Sequence, residues 1–138
     1  MIMEDVCDLP EGKLILRTLA MPADTNANGD IFGGWIMSQM DIAGGILSKE
    51  ISGTRTVTIA VESMKFIRPV KVGDVVSCYG QLKRIGTTSI TLELEVWVEP
   101  VLRHLDSNCP YFKVTEAAFV YVSIDEQGNK AAIVKHEC

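Results

Sequence analysis

The chain lacks any concentration of positive charge. Its 13 Lys and Arg are scattered among 18 Asp and Glu, for a net charge of −5. With no basic run or stripe, the electrostatic footprint of a nucleic-acid binder is missing. A small anionic ligand stays open, because a cofactor phosphate needs only two or three local cations. No apolar stretch reaches the ~18 residues of a membrane span, and the opening MIMEDVCDLPEGK is too acidic and too weakly apolar for a secretory signal. The expectation is a cytoplasmic protein with no membrane partner. The four cysteines, Cys7, Cys78, Cys109 and Cys138, include no CxxC pair and no adjacent His cluster, so no zinc site is read and free thiols are expected, Cys78 in the core and Cys7 and Cys138 incidental. The two histidines, His104 and His136, stand in irregular regions without partners, and neither a GxSxG elbow nor a P-loop occurs.

What is present suits one globular domain over 1–138, with 1–12 a loose lead-in: 47% hydrophobic and 22% charged residues. A strand is expected over about Lys13 to Ala20, ended by Met21-Pro22. ADTNANGDIFGG, from Ala23 to Gly34, is dense in residues that bond local backbone or adopt positive φ, and reads as a structured loop. Ile36, Met37, Met40, Ala43, Ile46 and Leu47 then recur at helical spacing through Trp35–Ile51. The apolar surface of that helix runs round most of its circumference. The remaining stripe of Gly34, Ser38, Asp41, Gly44, Gly45 and Ser48 is almost wholly small, so the helix is expected to be buried, with a packing or access requirement at the paired glycines.

Beyond the helix the period changes to two. Strands are expected over Thr54–Phe66, Asp74–Arg84, Thr87–Glu99 and Lys113–Ile124, with Ile85-Gly86 as a tight turn and Pro100–Pro110 as an irregular connection. In the third of these, Ile90, Leu92, Leu94, Val96 and Val98 point one way, and Thr91, Glu93, Glu95, Trp97 and Glu99 the other. One strand, one long helix and four strands with hairpin-length links make an α+β fold, an antiparallel sheet on a single helix. One helix cannot cover such a sheet, and its edges stay open, so self-association is expected.

Asp41 carries the strongest chemical signal. A carboxylate inside an apolar helix must be desolvated, paired or turned into a cavity, and desolvation would suit it to proton transfer; the alternatives are plain solvent exposure or an ion pair with Lys49. Gly33 and Gly34 stand at the helix start, where unpaired N–H groups and the dipole favour negative charge; they are either donors to an oxyanion or simply a Gly-rich turn. Asn26 could orient a water or a carbonyl, although Asn and Asp in turns ordinarily cap their own backbone, a reading that also covers Asp24, Asn28 and Asp30. Glu62 shares a strand face with Met64 and Phe66, for which a pairing with Arg55 or Lys65 is the ordinary explanation.

LAMPADTNANGDIFGGWIMSQMDIAGG, continued by TVTIAVESMKFIRPVKVGDVV and LELEVWV, resembles the YciA-like acyl-CoA thioesterases of the hotdog superfamily over nearly the whole span from Lys13 to Ile124. The resemblance implies a hotdog fold, a five-stranded antiparallel sheet wrapped around one long central helix, in dimers that join their sheets and in hexamers of three dimers. It implies catalytic roles for Asp41 and Asn26, contributed by different subunits, and oxyanion N–H groups at Gly33 and Gly34. It implies a pantetheine arm along the strand from Thr56 to Glu62, hence Thr56, Val57 and Thr58, and nucleotide phosphates near Arg68 and the Lys83–Arg84 turn that includes Gly86. No cofactor or metal is required; coenzyme A enters as part of the substrate and leaves as product. Asp41 would act as general base through a water or as nucleophile through an anhydride.

HLDSNCPY in the Leu102–Tyr111 connection does not match the family, and the contacts of Lys130 and Lys135 are open. Two other readings fit the sequence less well. A non-catalytic acyl-CoA-binding module would gain little from an acid beside an apolar tunnel. Dehydration of a hydroxyacyl thioester typically wants a His in the loop or helix, and neither His lies there.

Overall fold

A computed structural model describes residues 7–101 and 108–133. His104, His136, Lys135, Cys138 and most of the unmatched connection lie outside the described residues. The order of elements is strand β1 (Lys13–Leu19), a short 3-10 turn (Pro22–Asp24), helix α1 (Gly33–Ser52), then strands β2 (Arg55–Phe66), β3 (Asp74–Ile85), β4 (Ser89–Pro100) and β5 (Phe112–Ile124). The helix begins two residues earlier than its periodicity indicates, because Gly33 and Gly34 form its first turn. It ends where Gly53 adopts φ 70°, with its N–H donating to the Lys49 carbonyl at 2.9 Å, the left-handed stop that glycine permits.

All five strands form one antiparallel sheet in the order β1-β3-β4-β5-β2. The hotdog architecture implied by the sequence is therefore present, but one link is not a hairpin. β2 pairs with β5 at one edge, whereas β3 lies next to β1 at the other, so the connection 67–73 crosses the end of the sheet. Polar contacts fasten that crossing. Ile67 N–H donates to Val114, Ile31 N–H to Val70 and Gly73 N–H to Ala20, while Lys71 is ion-paired to Asp30. The start of α1 and the Asn-rich loop are thereby tied to the sheet rather than hanging from it.

The core lies between one face of α1 and the concave face of the sheet. Met40, Ala43, Leu47 and Ile51 of the helix meet Val76 and Cys78 of β3, Ile90, Leu92, Leu94, Val96 and Val98 of β4 and Phe119 and Tyr121 of β5, all buried. The alternation expected in β4 is observed, with Ile90, Leu92, Leu94, Val96 and Val98 each no more than 1% exposed. Burial pushes the Cys78 thiol up to about 12, since a thiolate cannot be solvated there.

Three expectations change. The helix is not buried all round: Met37, Ile42 and Ile46 are exposed within one chain, because the sheet curls around only one side of it. Cys7 and Cys109 are joined by a disulfide where free thiols were expected; the β4–β5 connection returns to the lead-in, a meeting that 102 residues of separation conceal. Glu62 makes no ion pair with Arg55 or Lys65 among the described residues. It borders a cavity of about 180 Å³ on the convex face with Lys65, Lys83 and Glu93, beside a bulge at which Ser63 takes φ 54°.

Candidate active site

Asp41 occupies the middle of α1 on the side that meets β2 and β5. It is exposed in the single chain, one of the alternatives the sequence left open, yet it is firmly held. Thr58 Oγ1 donates to Asp41 Oδ1 at 2.5 Å, and Tyr121 Oη donates to the same oxygen at 3.0 Å. Two donors on one oxygen leave Oδ2 for a water or a substrate. Lys49, the sequence alternative, does not pair with Asp41; its Nζ reaches Gly45 O and Thr56 Oγ1, each at 3.3 Å.

The small stripe of the helix explains how β2 and β5 come so close. Ser48 is buried against Thr56, with their hydroxyls 2.7 Å apart. At Gly44 an added Cβ would lie 2.1 Å from the Tyr121 hydroxyl, a distance no side chain can occupy. Burial first, and then the negative charge of Asp41, hold the Tyr121 phenol protonated far above its ordinary range. Its hydroxyl proton is thus held for donation to Asp41. Together these residues enclose a cleft of about 460 Å³ between α1 and β2, walled by Asp41, Ile42, Gly45, Ile46, Lys49, Thr56, Val57, Thr58 and Tyr121. Acid and apolar wall thus share one cleft, a mixed lining of the kind that small-molecule sites have.

Other sequence-derived positions fall elsewhere. Gly33 and Gly34 open α1, whose N-terminus has no side-chain cap, so first-turn amides remain for a ligand. Phe66 packs over Gly33, with its ring 3.2 Å from where a Cβ would be. Asn26 Oδ1 accepts from Asn28 N–H at 2.9 Å and Asp30 N–H at 3.1 Å, the local capping that Asn performs in turns, which leaves its Nδ2 side to a ligand. Seven residues separate Gly34 from Asp41, or about 10 Å along the axis at ~1.5 Å per residue. Within one protomer the glycine amides and the acid thus stand about two helical turns apart.

The basic positions form no cluster with this cleft. Arg68 lies 4.3 Å above the Phe112 ring and lines a separate cavity of about 290 Å³ with Trp97, Tyr111 and Lys113. Lys83 is ion-paired with Glu93 at 3.3 Å, and Arg84 stands opposite Thr91 beyond a bulge. Gly86 begins the β3–β4 turn, and its N–H donates to Ser89 O at 2.8 Å. No group of three or more potential metal-binding side chains occurs among the described residues, and no described helix is long and apolar enough to cross a membrane. Sequence reasoning missed Tyr121 altogether and read Thr58 as a ligand contact rather than a partner of Asp41. The paired glycines were the signal, but a gap in a helix does not say which ring fills it.

Comparison with known proteins agrees with this geometry. The family model described as "Thioesterase superfamily" matches residues 28–103. The acyl-CoA thioester hydrolase YciA of Salmonella typhimurium is 60% identical over 119 residues, covering 86% of this chain and 88% of its own. Among solved structures, a hexameric broad-specificity acyl-coenzyme A thioesterase superposes with a TM-score of 0.87 at 51% identity, over 97% of this chain and 89% of that one. A hexameric thioesterase from Yersinia pestis does so at 0.83 and 54%, over 91% and 98%. With its single helix in a curled five-stranded sheet and an acid held in the cleft between them, the chain belongs to the thioesterase superfamily, among the YciA-like acyl-CoA thioesterases of hotdog fold.

Proposed function

We propose that this protein hydrolyses acyl-CoA thioesters of varied chain length, releasing a carboxylic acid and coenzyme A, in the cytoplasm and without a further cofactor or metal. The observation that carries the proposal is the Asp41 carboxylate, anchored through Oδ1 by Thr58 and Tyr121 and facing an apolar-walled cleft with Oδ2 free. An acyl chain can pass along Ile42 and Ile46 while the pantetheine arm follows Thr56, Val57 and Thr58.

The reacting centre is assembled from two subunits. Asp41 of one protomer faces the Gly33 and Gly34 amides and the Asn26 side chain of its partner, since one helix separates its own amides from its own acid by about two turns. Val57, Ile59 and Val61 on the open edge strand β2, together with Met37, Ile42 and Ile46 on α1, supply an exposed apolar band suited to a dimer. Three such dimers give the hexamer reported for its relatives. Arg68, Lys83, Arg84 and Gly86 meet the nucleotide end of coenzyme A.

In the reaction, water or Asp41 itself adds to the thioester carbonyl carbon. The carbonyl oxygen becomes an oxyanion facing the helix-start amides, and the C–S bond breaks as the thiolate leaves. In the base route the thiolate takes the proton that Asp41 removed from the attacking water. In the nucleophile route it takes one from the water that then hydrolyses the acyl–Asp41 anhydride, freeing the acid and restoring Asp41. The base and nucleophile routes differ in the fate of solvent oxygen. Single-turnover hydrolysis in ¹⁸O-water labels Asp41 only if an acyl–Asp41 anhydride forms. The proposal itself is tested by thiol release from acyl-CoAs of graded length: turnover across the series is expected, and binding without release at every length would leave only an acyl-CoA-binding module.

A further inference from the structure

Tyr121 lies outside every sequence-derived set of site residues, yet it is the one side chain of β5 that reaches through the helix wall to the acid. Its body is buried and stacks on Phe119, with centroids 6.3 Å apart and planes inclined by 19°. Its hydroxyl lies 3.0 Å from Asp41 Oδ1 and 3.2 Å from the Asp41 carbonyl. The opening it passes through exists because residue 44 has no side chain. A helix interior gives up ~1 kcal/mol for a glycine relative to alanine, so the gap stands against the helix's own preference, and what occupies it is a hydroxyl aimed at the carboxylate.

We propose that Tyr121 is a positioning residue for thioester hydrolysis: seated in the Gly44 gap, its hydroxyl acts with that of Thr58 to fix Asp41 Oδ1, so that Oδ2 alone is presented to water or substrate. The inference rests on Asp41 being the catalytic acid, as argued above. Tyr121 is charge-neutral and touches no reacting atom. It restricts the carboxylate to one rotamer and one reactive oxygen, and misplacing a catalytic group by an ångström is enough to cost 10²-fold in rate. The three ionisable groups facing this cleft are Asp41, Lys49 and Tyr121. Lys49 is turned toward Thr56, which makes the hydroxyl donors the polar partners of the acid.

The test compares Tyr121→Phe, Asp41→Ala and the parent protein by steady-state thiol release and melting temperature. Tyr121→Phe keeps the ring and its stacking and is expected to lower kcat about 10- to 100-fold with KM within about threefold. The melting temperature should stay near that of the parent. A merely structural role would move KM and melting temperature together with kcat, which would overturn the inference. An unchanged kcat would do the same. Should Tyr121→Phe fail to fold, site-specific 3-fluorotyrosine at position 121 decides: it keeps the shape and is a stronger donor to Asp41 Oδ1, so kcat should change about twofold or more with KM and melting temperature unchanged, and an unchanged kcat would overturn the proposal. If Asp41→Ala retains full activity, the catalytic assignment of Asp41 fails first; if it is inactive while Tyr121→Phe is not impaired, only the role of Tyr121 fails.

Discussion

Strands β2 and β4 have the same length, 12 residues each, and both alternate apolar with polar side chains, yet they do opposite work. β4 is flanked on both sides, and its apolar residues are sealed between helix and sheet. β2 has one neighbour, two irregularities of register and four exposed large apolar side chains: Val57 42%, Ile59 58%, Val61 38% and Phe66 51%. The buried strand supplies stability and no chemistry. The edge strand contributes little to the protomer's core, yet it brings Thr56 and Thr58 to the cleft and offers a free backbone edge to a second subunit. Position in the sheet, rather than composition, sets the role of a strand.

The contrast can be broken at its strongest point first. Asp41→Ala removes the group that β2 and β5 jointly hold, and a loss of about 10³-fold or more in kcat is expected with KM little changed; thiol release with short and long acyl-CoAs measures it. Leu94→Ala on β4 should cost about 2–5 kcal/mol of unfolding free energy by urea denaturation, as a buried leucine replaced by a cavity does. Ile59→Ala on β2 should cost under about 1 kcal/mol in the dissociated protomer. An equal loss at both positions would show that the two strands are equivalent after all.

Beside β4, Cys78 gives the comparison a pH signature. The unfolded thiol ionises near its ordinary 9.0, whereas the folded one holds its proton to about 12. The unfolded state therefore loses its proton first, and stability falls as pH rises through this window while being unaffected below it. Cys78→Val should flatten the stability curve between pH 9 and 12 relative to the parent, read from urea midpoints; parallel curves would count against a buried neutral thiol. On β2, Ile59→Lys places a charge on the exposed edge, and sedimentation velocity should show smaller assemblies, with activity falling in proportion under the proposed two-subunit centre. The smallest effect is expected from Lys83→Ala, which removes an exposed pair with Glu93. Stability should change by less than about 1 kcal/mol, while the KM for acyl-CoA rises a few-fold.

The legible part of this molecule was local. Helical spacing located α1 to within two residues, and alternation located each strand to within two. A carboxylate inside an apolar helix drew attention to Asp41, and the motif around it carried the family. What could not be read is what depends on two distant segments meeting. The chain does not say that β2 skips β3 to lie beside β5, that Cys7 meets Cys109, or that the gap at Gly44 receives Tyr121 rather than a neighbouring backbone. Thr58 likewise reads as one more alternating polar residue until the helix is laid against it.

The sequence by itself determined the elements, their apolar faces and the identity of the acid, because period, turn chemistry and charge act over a few residues at a time. Only the tertiary structure decided which strand became an edge, which hydroxyls hold Asp41 and which of its carboxylate oxygens they engage. Those outcomes depend on distances between groups far apart in the chain, and such distances exist only once the sheet has closed around the helix.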